Sequence, residues 1–295
     1  MKFTIPNDPH EFAWLTKTAV DAHCSIEAHG RSTFGFGVWY QCTVSHLLAE
    51  MKHARNYEYG GKLLPLLGAL SAIDQFGDCY NLANSTLPPD YQSKSGIVKA
   101  SHDFLNILIN TQDSDALYAL RNGLMHQSSL ISKGKNGSQK NYWFEIDNTI
   151  KNLFIHARSA WDGKFDTRSE TNKTIVNPSK VLELAINLTS ILKELLEQGK
   201  LQLRLAKGLE ELLTTYVTLE FEDSFRDSYI KYLSFAIHSS VDGHADAITS
   251  AKKKIAGVKL NVLNEAAVAL TRMPGVTVEK IAKVKEAYPS ANFYF

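Results

Sequence analysis

Leu63, Leu66, Leu67, Leu70, Ile73 and Phe76 recur at intervals of three and four residues, the spacing that lines one face of an α-helix. Pro65 is compatible with this only in the first turn, where its missing N–H has no intrahelical partner to lose. The segment therefore predicts a long helix that begins near 63 and ends near Asn84. The same period returns on both sides. Leu47, Leu48, Met51 and Ala54 share a face before the Gly60-Gly61 break, and Phe104, Leu105, Leu108 and Ile109 mark a helix over 97–110. Asn177-Pro178 supplies an N-cap and a first-turn proline to a helix that runs to about Gln198, with Leu182, Ala185, Ile186, Leu188, Thr189 and Leu192 on its stripe. Such a chain folds as helices packed on one another around a shared core.

Between these segments the pattern predicts a helix at about 11–29, a loop over 85–95 around Pro88-Pro89-Asp90, and a short helix capped by Asp113 or Ser114. After His126 a turn-rich basic loop, Lys133 to Ser138, leads to Tyr142–Ile146 and Leu153–Ile155, which read as two short strands of a hairpin. A polar loop follows over 161–174. Leu201–Phe221, Asp223–Ser239, Ala245–Ile255, Leu260–Arg272 and Thr277–Ala287 read as helical. The expected architecture is all-α: residues 1–36 with one helix, a helical bundle over 37–205 carrying a small β-hairpin insertion, and a helical C-terminal extension over 206–295.

The formal net charge of the 295 residues is +1, too small for a chain that coats nucleic acid through an overall positive field. Any phosphate ligand has to be held by local charge. Cys24, Cys42 and Cys79 form neither an even framework nor a Cys-x-x-Cys pair, which fits a reducing compartment and a cytoplasmic location. Residues 1–8 lack the apolar core of a signal peptide, and no apolar run reaches membrane-spanning length. Glycine-rich phosphate loops, a nucleophile-elbow serine and a strand-alternating nucleotide fold are all missing, which disfavours ATP-driven and hydride-transfer chemistry.

Arg121, Asn122 and His126 stand together in Ala119-Leu120-Arg121-Asn122-Gly123-Leu124-Met125-His126-Gln127. A guanidinium is a permanent cation shaped to hold phosphate oxygens, and an imidazole is the side chain that both takes and gives a proton near neutrality. Together they can cleave RNA without a metal, because the 2′-hydroxyl beside each phosphodiester is its own nucleophile. His126 would act as general acid or base. Arg121 would stabilise charge developing on the phosphoryl oxygens. The structural alternative is a helix end at Arg121-Asn122-Gly123, with Asn-Gly in the turn and the arginine on terminal carbonyls.

With an apolar helical lead-in before it, the segment from about Val44 to Leu196 resembles the HEPN superfamily of helical-bundle proteins. Two stretches carry the resemblance, Leu63–Asp74 as the long apolar helix and Leu117–His126 as the motif. The resemblance implies an up-down bundle and a metal-independent endoribonuclease of toxin, phage-defence or RNA-processing type. The products would be a 2′,3′-cyclic phosphate and a 5′-hydroxyl. It makes Arg121 and His126 the catalytic pair and Asn122 the polar residue beside them, and it implies a homodimer through the motif-bearing face. RNA is then the substrate partner, with an antitoxin or regulatory protein as a further partner class, and no cofactor. Where some family toxins carry a modifiable tyrosine two places after the histidine, this chain has Ser128. The alternative use of the same fold is a catalytically silent interaction or nucleotide-sensing module.

Lys133, Lys135 and Lys140 follow the motif and are candidates to guide an RNA backbone, or else form a solvated loop; Lys252-Lys253-Lys254 with Lys259 is a second basic cluster. Tyr142 and Phe144 alternate on one strand face, which favours core packing over base stacking. Asp74, an acid inside an apolar helix, either faces solvent or reaches across to orient Arg121 or His126. His23, Cys24, His29, Cys42, His46 and His53 crowd together, but without the tight paired spacings of a zinc site, so no metal is assigned.

Overall fold

The computed structural model describes residues 4–27, 32–57, 61–83, 91–134, 140–241, 244–273 and 276–288. In chain order its elements are α1 (Pro9–His23), β1 (Ser32–Gly35), β2 (Val38–Cys42), α2 (Thr43–Ala54), α3 (Leu63–Cys79), β3 (Tyr80–Leu82), α4 (Gly96–Phe104) and α5 (Gln112–Gln127). There follow β4 (Ile131–Ser132), β5 (Tyr142–Ile146), β6 (Phe154–Ile155), β7 (Thr174–Val176), α6 (Pro178–Glu197), β8 (Leu201–Leu203) and α7 (Leu209–Glu211), which runs into a π-helical turn. Last come β9 (Val217–Phe221), α8 (Phe225–Val241), α9 (Ala245–Ile255), α10 (Leu260–Thr271) and α11 (Val278–Ala287). The protein is mostly helical, with a few small sheets.

Two compact units divide the chain: Ala19–Gly30 with Cys42–Val217, and Met1–Thr18 with Arg31–Gln41 and Thr218–Phe295. These bounds differ from a sequential division at 36 and 205. The reason is that both terminal regions supply one core, in which Trp14 and Val38 pack with Tyr229, Leu233, Ile237, Ile255, Val262 and Leu270. Within that unit β1, β2 and β9 form a sheet, and Arg226 bridges Glu11 (2.5 Å) and Glu265 (3.0 Å).

The larger unit is organised on α3, which packs against α2, α4, α5 and α6. The apolar stripe read from sequence is the reason: Leu66, Leu70, Ile73 and Phe76 are fully buried, and at roughly 1.5–3 kcal/mol per side chain they anchor the unit. Approach to α4 is closest at two glycines. A Cβ on Gly77 would sit 1.8 Å from the Gly96 carbonyl oxygen, and one on Gly96 would sit 1.9 Å from the Asp74 carbonyl oxygen. Glycine at both positions lets the two backbones touch. Asn177 caps α6 as its sequence predicts, its Oδ1 accepting from Ser179 N (2.9 Å) and Lys180 N (3.2 Å).

Several elements depart from the pattern reading. α3 stops at Cys79 because the chain there enters β3, which pairs antiparallel with β8 (Tyr80 opposite Leu203). α4 ends at Phe104, before two left-handed asparagines, Asn106 and Asn110, that no helix accommodates. The expected hairpin is a four-stranded sheet of order β4-β5-β7-β6: β5 pairs antiparallel with β4 and parallel with β7, and β6 pairs with β7 rather than with β5. Nor is Leu201–Phe221 one helix. Its ends are strands with partners far away in sequence. The 85–95 loop lies partly, and His29 and Lys135 wholly, outside the described residues.

Candidate functional site

α5 carries the site, and its two ends are fixed by local chemistry. Thr111, not Asp113 or Ser114, is the N-cap, its Oγ1 accepting from Ser114 N at 3.3 Å. Asp113 and Asp115 then place negative charge on the positive end of the helix dipole. The helix runs through Asn122-Gly123 without a break and ends on Ser128, left-handed at φ 49°, so the helix-end reading of Arg121-Asn122-Gly123 is overturned. Closure follows the αL pattern, with Ser128 N donating to Leu124 O (3.1 Å), and Ser129 N adds a bond back to Gly123 O (3.0 Å). Gly123 is needed here. A Cβ on it would lie 2.7 Å from the Ser129 carbonyl oxygen of the returning chain.

Leu117 and Leu120 are buried beneath the helix, which leaves Arg121 and Asn122 half-buried and His126 exposed at its outer end. Arg121 is held from two sides. Its Nε (3.0 Å) and Nη2 (2.6 Å) both donate to Asp74 Oδ2, from α3, and its Nη1 donates to Asn122 Oδ1 (3.0 Å). The same Nη1 lies 2.7 Å from His126 Nε2. A guanidinium can only donate, so in this geometry Nε2 accepts and the neutral ring carries its proton on Nδ1. Asp74 therefore orients the arginine directly and the histidine through it. Its other oxygen, Oδ1, accepts from Ile97 N (2.8 Å) at the start of α4, so one carboxylate joins three helices. One turn further along α3, Asp78 lies 3.8 Å from Lys99, and burial, then the charge of Asp74, pushes its carboxyl above the ordinary range.

The remaining candidates are distributed differently. Lys133 is exposed, and Lys140 is exposed and ion-paired with Asp115 at 3.3 Å. Tyr142 and Phe144 stack on each other at 5.4 Å, with Phe144 buried, which fits a packing role. On the opposite strand face Trp143 lies under Arg168, whose guanidinium also contacts the rings of Trp161 and Phe165 at 5.3 and 5.2 Å. His23 bonds to Tyr80 and Gln75, and among the described residues no three metal-ligating side chains converge. Lys259 pairs with Asp8 and Lys254 lies over Tyr232. Sequence reading passed over the Asp113–His156 pair (2.7 Å) at the N-terminus of α5, and also a cavity further along the same helix; only three-dimensional proximity reveals either.

The arrangement provides a fixed cation, an exposed proton-transfer group in contact with it, and an acid that holds both in register. Such a set of groups is chemically suited to holding an anion and moving a proton. No protein-family model matches the chain, and neither the curated proteins nor the solved structures compared with it give a match.

Proposed function

We propose that this protein is a HEPN-type, metal-independent endoribonuclease of toxin or phage-defence character that works as a homodimer in the cytoplasm. One observation carries the reading: Arg121 Nη1 stands 2.7 Å from His126 Nε2 while the rest of the guanidinium is already anchored on Asp74. A phosphodiester that replaces the imidazole as the partner of Nη1 frees the Nε2 lone pair beside the 2′-hydroxyl. His126 then takes that proton as O2′ attacks phosphorus, and Arg121 stabilises the charge on the non-bridging oxygens. The P–O5′ bond breaks, leaving a 2′,3′-cyclic phosphate, and O5′ needs a proton from the opposite side. One imidazole cannot serve both sides in one step.

Two-fold symmetry supplies the second, protonated imidazole from the other copy. Exposed Met125 and His126 at the outer end of α5 make that end the face through which copies would meet. Three buried, free cysteines and the absence, among the described residues, of any helix long and apolar enough to cross a membrane accord with the proposed compartment. Lys133 and Lys140 would meet the RNA backbone, Lys140 exchanging Asp115 for phosphate. An antitoxin or other regulatory protein would act by covering the motif.

The test is purified protein incubated with mixed RNA in excess chelator. Cleavage, its loss in His126→Ala and in Arg121→Ala with the fold intact, and its loss in a monomeric Met125→Glu variant are expected. Absence of cleavage, or unchanged cleavage in the Ala variants, would overturn the enzyme in favour of a silent interaction module. Full activity in a monomer would overturn the composite site.

A further inference from the structure

Asp115, Tyr118, Asn122 and His126 follow one another along α5 at steps of three and four residues, which puts them on one face of the helix. At the Asp115–Tyr118 end that face opens into a cavity of about 480 Å³, closed opposite by Ser95 before α4 and by Tyr142 of β5. Tyr118 to Asn122 is a rise of about 6 Å along the helix, so the cavity begins one turn from the motif. The two are joined on the other wall as well. Ser95 is two residues before Ile97, whose N–H is held by the Asp74 carboxylate that grips Arg121.

The lining indicates the ligand. Tyr118 and Tyr142 line it, Tyr142 with one ring face already on Phe144, and the Tyr142 hydroxyl stays a donor, its pKa pushed up to about 12 by burial and then by the Asp115 charge. Ser95 Oγ is buried without a hydrogen-bond partner, and it does not cap its own helix. Lys140 is ion-paired with Asp115, and Lys94 lines the same cavity, so cations stand beside the two rings. Flat faces with polar edges suit a nucleobase, and a volume of this size suits one nucleoside.

We infer that this cavity receives the base of the nucleotide next to the cleaved phosphate, which makes it the subsite that sets RNA register on α5. The inference rests on the ribonuclease reading for its orientation, but its binding component is testable alone. Stacking of the base on Tyr118 and edge bonds to Ser95 and Asp115 would hold it, with the sugar directed along the helix toward Arg121 and His126.

The probe is a labelled single-stranded RNA with 2′-O-methyl riboses, which cannot cleave, followed by anisotropy and compared with the same RNA carrying one abasic position at a time. Tyr118→Ala removes a ring face and Ala119→Leu fills the cavity; a thermal melt checks that each is folded. Wild type is expected to lose about five- to a hundredfold in affinity at one abasic position, the range for one stacked base. Both variants should lose a similar factor and then be insensitive to that abasic position, while cleavable RNA shows a raised KM with single-turnover kcat largely kept. Variants that bind as wild type does, or an abasic penalty that persists in both, would overturn the subsite. If binding shows this coupling but wild type never cleaves, the subsite stands and the catalytic reading falls; cleavage without coupling gives the reverse.

Discussion

Acidification should destabilise this protein through one buried ring. His23 is fully enclosed, its Nδ1 2.7 Å from the Tyr80 hydroxyl and its Nε2 2.9 Å from the Gln75 amide nitrogen. With the amide nitrogen donating, Nε2 accepts, so the ring is neutral and donates from Nδ1 to Tyr80. Burial lowers its pKa from 6.5 to about 3. Above pH 6.5 the ring is neutral in the folded and the unfolded chain and adds no pH dependence. Below it, the unfolded chain binds a proton that the folded chain refuses, so stability falls with pH until about pH 3. The slope approaches about 1.4 kcal/mol per pH unit, and from pH 7.5 to pH 5 the loss comes to about 2 kcal/mol. Urea unfolding of wild type and His23→Gln at both pH values isolates it, because other titrations cancel in the difference. The variant should lose about 2 kcal/mol less than wild type over this interval. Equal losses, or an NMR titration that places the His23 ring near its ordinary value, would refute the reasoning.

Two substitutions probe the scaffold behind the motif. Gly77→Ala puts a methyl 1.8 Å from the Gly96 carbonyl oxygen and should cost about 3 kcal/mol or more, measured by urea unfolding, as α3 and α4 are forced apart. Asp74→Asn keeps an acceptor for Ile97 N but leaves Arg121 without its carboxylate; a loss of about 2 kcal/mol is expected, less than for a fully buried pair because one-fifth of the Arg121 side chain is exposed. RNA cleavage in Asp74→Asn should fall at least about tenfold, since a guanidinium no longer held loses its aim. Wild-type cleavage in that variant would remove Asp74 from the positioning role.

What the sequence could and could not disclose follows from the range of the forces involved. Asn177-Pro178 and Thr277 act on backbone groups two or three residues away, so the starts of α6 and α11 were legible. α9 and α10 carried their own amphipathic period. β3 is a strand only because β8 lies beside it, and nothing within Tyr80-Asn81-Leu82 says so. The period-two alternation of Leu201-Gln202-Leu203 and of Val217, Leu219 and Phe221 was present, but adjacent leucines also fit a helix and masked it. At the site, spacing brought Arg121, Asn122 and His126 within about one and a half helical turns, but a helix end at Asn122-Gly123 stayed open until the fold carried α5 to Gln127. The reach of Asp74 across 47 residues of sequence was open between two outcomes until the fold was known. The cavity formed by Ser95, Tyr118 and Tyr142 draws on three separate segments, which share no local signal.

The most direct measurement is cleavage, in chelator, of one RNA at a mapped site and of the same RNA with a single 2′-deoxy sugar at the nucleotide 5′ to that site, with products weighed by mass spectrometry. The Arg121–His126 chemistry predicts a 2′,3′-cyclic phosphate and a 5′-hydroxyl from the first, and no cleavage at that position in the second. Cleavage of the deoxy-substituted RNA at the mapped site, or products bearing a 5′-phosphate, would contradict it, because attack would then have come from an external nucleophile rather than the ribose.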